Sequence, residues 1–583
     1  MRKMFTLIAV ALLTMTATAK DRSEQAMQSI ALQTLLGNSA QAQSSTAKKA
    51  QMTTPLVKCQ SLDMVNVYGI KGSGVVFISK DDSFEPVLGV SDGYFDVGQM
   101  PCGMKWWLGA VDQSLKSMKA AGMAYHRSMI ASARATNFIK TSWNQGTPYS
   151  NLCPQIDGSA APTGCIATAM AQIMYYYKYP VQGKGMGTYY VTTFKDASDT
   201  KGTTTSYKRN LANTYAWDKM KTSYGLFTTD EDDAVATLMA DAGASCGMEY
   251  TADASAASDW YAVRGFVNNF GYDSLAVNRL DRDFYTDQEW MDMIQAEMQA
   301  KRPILYCGVD QKDGGHAFVF DGIQEDGKVH VNWGWGGAAN GWYAIDVLKP
   351  MSNGSSLVSG EGFNTYQSMV LGFKAQETPD ADEENTSLWV TDGYSFSVVD
   401  NQLHAQLIDV FNYSHRYFQG TVDLVIQDVN DASKLYTDNI YQSEGKNDYI
   451  AMTSGFYMDK SHQMVDFNIS NDIGTIAPGT YKVFLGSKST GESNYQCLRG
   501  VGGPISYTLT VGQDGTLSLT QDGTTAIASV GAEPATASPY TYIYNMQGQE
   551  VYKAKTSDFR LDDVPASGIL LIKQGNQVTK VVK

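Results

Sequence analysis

At 583 residues the chain is too long for one hydrophobic core, and roughly 150 residues per domain points to about four domains. Hydrophobic residues make up 43% and aromatics 11%, which excludes wholesale disorder. With 45 basic against 60 acidic residues the net charge is −15, and without Lys/Arg clusters this argues against a nucleic-acid partner.

Arg2 and Lys3 precede an apolar run from Phe5 to Leu13, and Ala17-Thr18-Ala19 fits a small-residue cleavage site, so residues 1–19 read as a secretory signal peptide. No later segment reaches the ~18 consecutive apolar residues of a transmembrane helix, so the product is expected to be exported without one. Residues 20–48 read as a helix followed by a flexible stretch, 65–93 as β structure with a buried strand near Gly74–Ser79, and 114–134 as a helix. Helices and consecutive antiparallel strands mix between Trp143 and Phe373. The acidic segment 376–387 is a linker, and short strands through 388–512 predict a β-sandwich. A second linker covers 513–539, rich in Gly, Ala, Thr and Pro from 522 onward, and a small β unit covers 540–583.

Seven cysteines (Cys59, Cys102, Cys153, Cys165, Cys246, Cys307 and Cys497) leave at least one thiol free in an exported chain. There is no CxxC and no histidine at ligand spacing from another histidine or a cysteine pair, so structural zinc is not expected. Cys165 stands out. Ile166, Ala169, Met170, Ile173, Met174 and Tyr177 form one helical stripe, with Pro162 and Gly164 before it and Pro180 after it. Cys165 therefore falls in the first turn, off that stripe. Unpaired N–H groups and the helix dipole there favour the thiolate and can donate to an oxyanion. The plainer reading is a small buried hydrophobe.

A nucleophilic cysteine needs a base, and the mixed α/β region offers His316 and His330. His316 follows Gly314-Gly315 into a strand. His330 follows the turn Glu325-Asp326-Gly327, and alternation sets it on one strand face with Asn332, opposite Val329, Val331 and Trp333. Across such a hairpin Asn332 can accept the Nδ1–H of His316 and leave Nε2 for the thiol. Either histidine can equally be a satisfied sheet residue.

The strings Trp143-Asn144-Gln145-Gly146-Thr147-Pro148-Tyr149, Gly164-Cys165-Ile166-Ala167-Thr168-Ala169, Gly315-His316-Ala317 and Asn332-Trp333-Gly334-Trp335-Gly336-Gly337 resemble streptopain-type cysteine peptidases. His316 lies 151 residues after Cys165, close to the ~130–150 of papain-like enzymes, and the order Cys, His, Asn agrees. The resemblance implies an α+β chain with a papain-like domain over 131–375. It makes Cys165 the nucleophile, His316 the general base and Asn332 its orienting partner. Gln145 joins the Cys165 N–H in the oxyanion hole, and Trp333 and Trp335 shield the pair. The resemblance also implies a substrate cleft beside Gly247, Met248 and Gly315, protein or peptide substrates, and no metal or organic cofactor.

Residues 20–130 resemble the family's inhibitory pro-domain, which maintains a zymogen by disturbing the histidine. The expected cut lies between Lys119 and Lys140, with Lys119, Arg127 and Arg134 as candidates. The segment from Tyr542 to Lys583 resembles C-terminal sorting domains of the type IX secretion system, which implies that machinery as a partner and a secreted or outer-membrane-surface location in a Gram-negative bacterium. Two other readings stand beside the peptidase: acyl transfer to an amine, as in transglutaminase-like enzymes, and a non-catalytic surface adhesin.

Overall fold

The computed structural model describes residues 20–38, 55–124, 136–196, 198–199, 201–225, 230–310, 314–348, 351–352, 355–356, 366–374, 389–412, 420–442, 465–468, 476–500, 502–522, 540–545, 550–555, 560, 564, 569–574 and 577–582. The expected signal peptide, Arg127, Arg134 and the 376–387 linker lie outside these residues. The chain divides into two compact units, 1–523 and 524–583.

The first unit opens with α1 (Glu24–Asn38) and the antiparallel strands β1 (Val57–Ser61), β2 (Val65–Ile70), β3 (Gly74–Ser79) and β4 (Val87–Ser91). β2 and β3 are nearly continuous apolar runs and every residue in them is buried, because helices cover both faces. Met27, Ala31 and Leu35 of α1, each one helical turn after the last, cover one face. Trp107, Val111 and Leu115 of α2 (Cys102–Ala120) share the core on the other. This helix begins well before the Ser114 expected from sequence, since Gly103 and Gly109 obscure a stripe that Trp106, Trp107 and Leu108 already carry. Lys119 near its end pairs with buried Asp81 at 2.7 Å and with Asp21 at 2.8 Å.

Residues 278–371 add β5 (Asn278–Asp281), β6 (Ile304–Asp310), β7 (Gly314–Ile323), β8 (Val329–Asn332), β9 (Gly341–Tyr343) and β10 (Tyr366–Leu371). All ten strands form one antiparallel sheet in the order β1-β2-β3-β4-β9-β8-β7-β6-β10-β5. The seam pairs Trp342 with Val90 and Tyr343 with Gly89, so the segments expected as separate pro- and peptidase domains share a sheet. One face carries α2 and α6 (Asp287–Gln299), whose start is fixed by a capping box between Thr286 and Glu289. The other carries α3 (Cys165–Tyr177), α4 (Asp230–Ser245) and α5 (Asp259–Arg264).

Beyond residue 388, two sheets pack Phe396 and Leu403 against Val422, Leu424, Val483, Leu485 and Leu509 as a sandwich. It extends past the expected boundary at 512, because Leu517–Gln521 pairs with Tyr507–Val511. Arg499 of the sandwich donates to Phe284 O and Glu289 Oε2, each at 2.6 Å, and lies over the Tyr285 ring. The second unit is a four-stranded antiparallel sheet of Tyr540–Asn545, Glu550–Lys555, Ile569–Gln574 and Gln577–Val582.

Candidate active site

α3 starts at Cys165, as its sequence pattern predicts. Gly164 before it has φ +84 and ψ 146, and a Cβ there would lie 2.6 Å from Met248 Cε, so only glycine fits both the backbone and the space. The helix is buried more widely than one stripe. Ala167, Thr168, Ala171 and Gln172 are enclosed along with the expected apolar residues. All seven cysteines are free.

Cys165 is half-buried, and the backbone N–H groups of Ala317 on β7, of Ile166 and of Cys165 itself act on its sulfur. Burial pushes the thiol up, and these three donors pull it down without cancelling that effect. The local helix-start argument for a thiolate is therefore outweighed in this state of the chain. Cys102, at the start of α2, is pushed up to about 11, first by burial and then by the field of Cys165, so the pro-segment helix begins in the neighbourhood of the candidate nucleophile.

His316 lies on β7 directly opposite Gly308 of β6. Residues paired in this way share a face, and Gly308 faces Trp106 of α2, where a Cβ would sit 2.4 Å from the indole. Phe318 and Phe320 continue the same face into the α2 and α6 core, whereas Ala317 and Val319 turn toward α3. Alternation thus sets the His316 Cβ on the α2 side of β7, with the Cys165 sulfur against the neighbouring residue.

Asn332 pairs across the hairpin with Val319 rather than with His316. It is 1% exposed, its Nδ2 donates to Thr141 O at 2.8 Å, and its Oδ1 accepts from Gly334 N at 3.1 Å. Gln145 is half-buried, and its carbonyl accepts from Thr163 N at 2.9 Å, which holds it two residues from the nucleophile position. Trp333 is buried, donates to Ala339 O at 3.0 Å and stacks near Phe318, so it is a core residue here, while Trp335 is exposed. Met248 is fully buried against Gly164, so its contact in this state is with the helix start rather than an open cleft. Gly247 is half-buried with φ +65, and Gly315 is exposed.

His330, the second candidate base, is fully buried beside Trp342. Its Nδ1 bonds Asp321 Oδ1 and its Nε2 bonds Asp92 Oδ2 at 2.9 Å. Burial alone would lower its pKa, but the two carboxylates outweigh burial and raise it to about 9. An imidazolium held between two carboxylates has no lone pair to act as a base. The residues that sequence reasoning missed are Asp92, Asp321, Thr141 and Gln172, and only Gln172, a lone amide within an apolar helix, gave a local signal.

Residues 143–343 match the Peptidase C10 family. Streptopain of Streptococcus pyogenes is 33% identical over 332 residues, 53% of this chain and 80% of that protein. The chain belongs to the Peptidase C10 family. It is, accordingly, a cysteine peptidase of that family. The thiol protease/hemagglutinin PrtT of Porphyromonas gingivalis is 32% identical over 320 residues, covering 52% of this chain and 36% of that protein. Among solved structures, a prointerpain A fragment of Prevotella intermedia is 32% identical and covers 55% of this chain and 98% of its own, with a TM-score of 0.46. Active interpain A from the same organism is 36% identical over 40% of this chain and 93% of its own, with a TM-score of 0.34.

Proposed function

We propose that this family member is an exported endopeptidase made as a zymogen, with Cys165 as nucleophile, His316 as general acid–base, Asn332 as the group that orients His316, and Gln145 as an oxyanion donor beside the Cys165 N–H. The Cys165 thiolate attacks the scissile carbonyl, and the oxyanion is held by those two donors. The His316 imidazolium protonates the leaving amine, then the neutral imidazole takes a proton from water as it attacks the thioester, releasing the acid and the thiol.

The observation that carries this reading is the Cys165 thiol in the first turn of α3, packed against the cluster that holds Ala317, the residue after His316, whose N–H favours the thiolate. Latency is supported by α2, whose indoles occupy the face of β7 to which His316 belongs, and by the burial that keeps Cys165 a thiol. Removal of α2 frees that face and opens the site to water. Lys119 is tied to Asp81, which favours a cut later in the 119–140 interval. Export rests on the signal-like residues 1–19, and passage through type IX machinery on the motifs of the final β unit, whose four strands suit a compact recognition tail.

Processed protein treated with the epoxide E-64 and mapped by peptide mass spectrometry is expected to carry one adduct, on Cys165, and to lose all casein hydrolysis. Folded, processed protein that neither hydrolyses casein nor takes the adduct would replace this reading with the adhesin one. Accumulation of amine-coupled product, in place of hydrolysis, would replace it with acyl transfer.

A further inference from the structure

Cys165, Thr168 and Gln172 lie at i, i+3 and i+7 of α3 and so share one helix face, distinct from the apolar stripe. That face meets the segment after β8. A Cβ built on Gly334, whose φ is +71, would lie 3.2 Å from Thr168 Cγ2 and 3.9 Å from Gln172 Nε2. Gln172 is fully buried, where an amide costs free energy unless its hydrogen bonds are made. Its Oε1 accepts from Thr141 Oγ1 at 2.7 Å, and its Nε2 has no hydrogen-bond partner among the described residues. Thr141, 3% exposed, passes the connection on, since its carbonyl accepts from Asn332 Nδ2 at 2.8 Å. The chain of bonds therefore runs from the nucleophile helix through Thr141 to the Asn332 amide.

An amide can present either edge, and its surroundings decide which. With Nδ2 committed to the Thr141 carbonyl, a flip of Asn332 would set Oδ1 against that carbonyl and turn two donors toward Gly334 N. Thr141 thus fixes Oδ1 as the edge that faces away from it, the edge able to accept from an imidazole N–H. Gln172 fixes Thr141. A methionine of similar length at position 172 would fill the space without the unmet donor, so burial alone does not call for the amide.

We infer that Gln172 and Thr141 are positioning residues, locking the Asn332 amide in the orientation that aligns His316 with Cys165 in the processed enzyme. This rests on the proposed roles of Cys165, His316 and Asn332. In the mechanism they touch neither substrate nor sulfur; they act through Asn332.

The test uses the full chain, allowed to process, with Gln172→Met, Thr141→Val, Thr141→Ser and Asn332→Ala compared by kcat, KM and the pH dependence of Cys165 alkylation by iodoacetamide. Gln172→Met is expected to lower kcat between about tenfold and a hundredfold with little change in KM, the scale set by a misaligned catalytic group. It should also move the acid limb of the alkylation profile in the direction that Asn332→Ala moves it. Combined with Asn332→Ala it should add little, because both act through one amide. Thr141→Ser, which keeps the hydroxyl, should restore what Thr141→Val loses, and this pair carries the same readouts if Gln172→Met does not fold. A lower melting temperature with kcat and the alkylation profile within twofold of wild type, while Asn332→Ala is impaired, would overturn the inference and reduce Gln172 to packing. An Asn332→Ala enzyme with a wild-type profile would instead overturn the reading of the site on which the inference stands.

Discussion

On one face of the central sheet α3 packs into an apolar cluster with Ala317 and Val319, and a buried polar chain runs through it, from Thr141 Oγ1 to Gln172 Oε1 at 2.7 Å and from Asn332 Nδ2 to Thr141 O at 2.8 Å. On the other face α2 packs Trp106 and Trp107 against Phe77, Phe318 and Tyr343, with Trp107 Nε1 donating to Ala344 O at 2.8 Å, Asp112 accepting from Met64 N at 2.7 Å and Lys119 paired with Asp81. Hydrogen bonds lose most of their strength with small errors in distance and angle, whereas apolar packing is non-directional. The bonds that must stay accurate, among Thr141, Gln172 and Asn332, are buried and come from the peptidase segment alone. The face proposed to be uncovered on activation is apolar and shared with the pro-segment. Both faces are apolar at the core; what sets the fixed side apart is a buried polar chain that reaches Asn332.

The largest effect should come from the α2 face. In a Cys165→Ala background that cannot process itself, Trp106→Ala removes a buried indole and should cost ~3–5 kcal/mol of stability in urea unfolding. In the active chain the same change should speed shortening from the N-terminal side. Unchanged stability would show that α2 is not held by this packing. A smaller effect, of about 1–3 kcal/mol, is expected from Gly164→Ala, which forces a side chain into φ +84 and against Met248. Because this disturbs the helix start that carries Cys165, peptidase activity should fall even where the protein remains folded, and full activity would argue that the α3 start tolerates displacement.

The smallest effect concerns the seam between the two parts. His330 bonds Asp92 of the pro-segment and Asp321 of β7, and its folded pKa of about 9 stands above the usual 6.5. A group raised in the folded state stabilises fully below its unfolded pKa and loses that contribution as pH rises through the folded one. This contribution should therefore be flat to about pH 6.5, decline between there and about pH 9, and level off above it. Asp92 is half-exposed, so Asp92→Asn should cost only ~0.5–1 kcal/mol at pH 7 and should flatten the alkaline decline. An equal decline in both proteins would remove the seam ion pair from the account.

Much of the site was legible because its signals are local. The stripe after Cys165 specified a helix and placed the thiol in its first turn, and Gly314-Gly315-His316 led into a strand as expected. The alternation in Val329–Asn332 also set His330 and Asn332 apart from the apolar core residues Val329, Val331 and Trp333. What could not be read depends on distant chain. The Asp92 partner of His330 lies 238 residues away, and it turns a candidate base into a structural cation. Burial, acting against the helix-start donors, sets the direction of the Cys165 shift. Trp342–Val90 pairing merges two expected domains into one sheet, a register that no single strand specifies. The Asn332 partner differs from expectation because hairpin register, set by the turn and the bulge near Phe320 and Ile323, pairs it with Val319.

Intact mass spectrometry of purified wild-type chain and of Cys165→Ala, incubated side by side under reducing conditions, asks whether the sulfur at the start of α3 drives the maturation of its own chain. Wild type should lose its N-terminal segment up to a point within 119–140, and Cys165→Ala should stay full length until a trace of processed wild type is added. Identical shortening of the two proteins in isolation would contradict a latent enzyme that works through the sulfur at the start of α3.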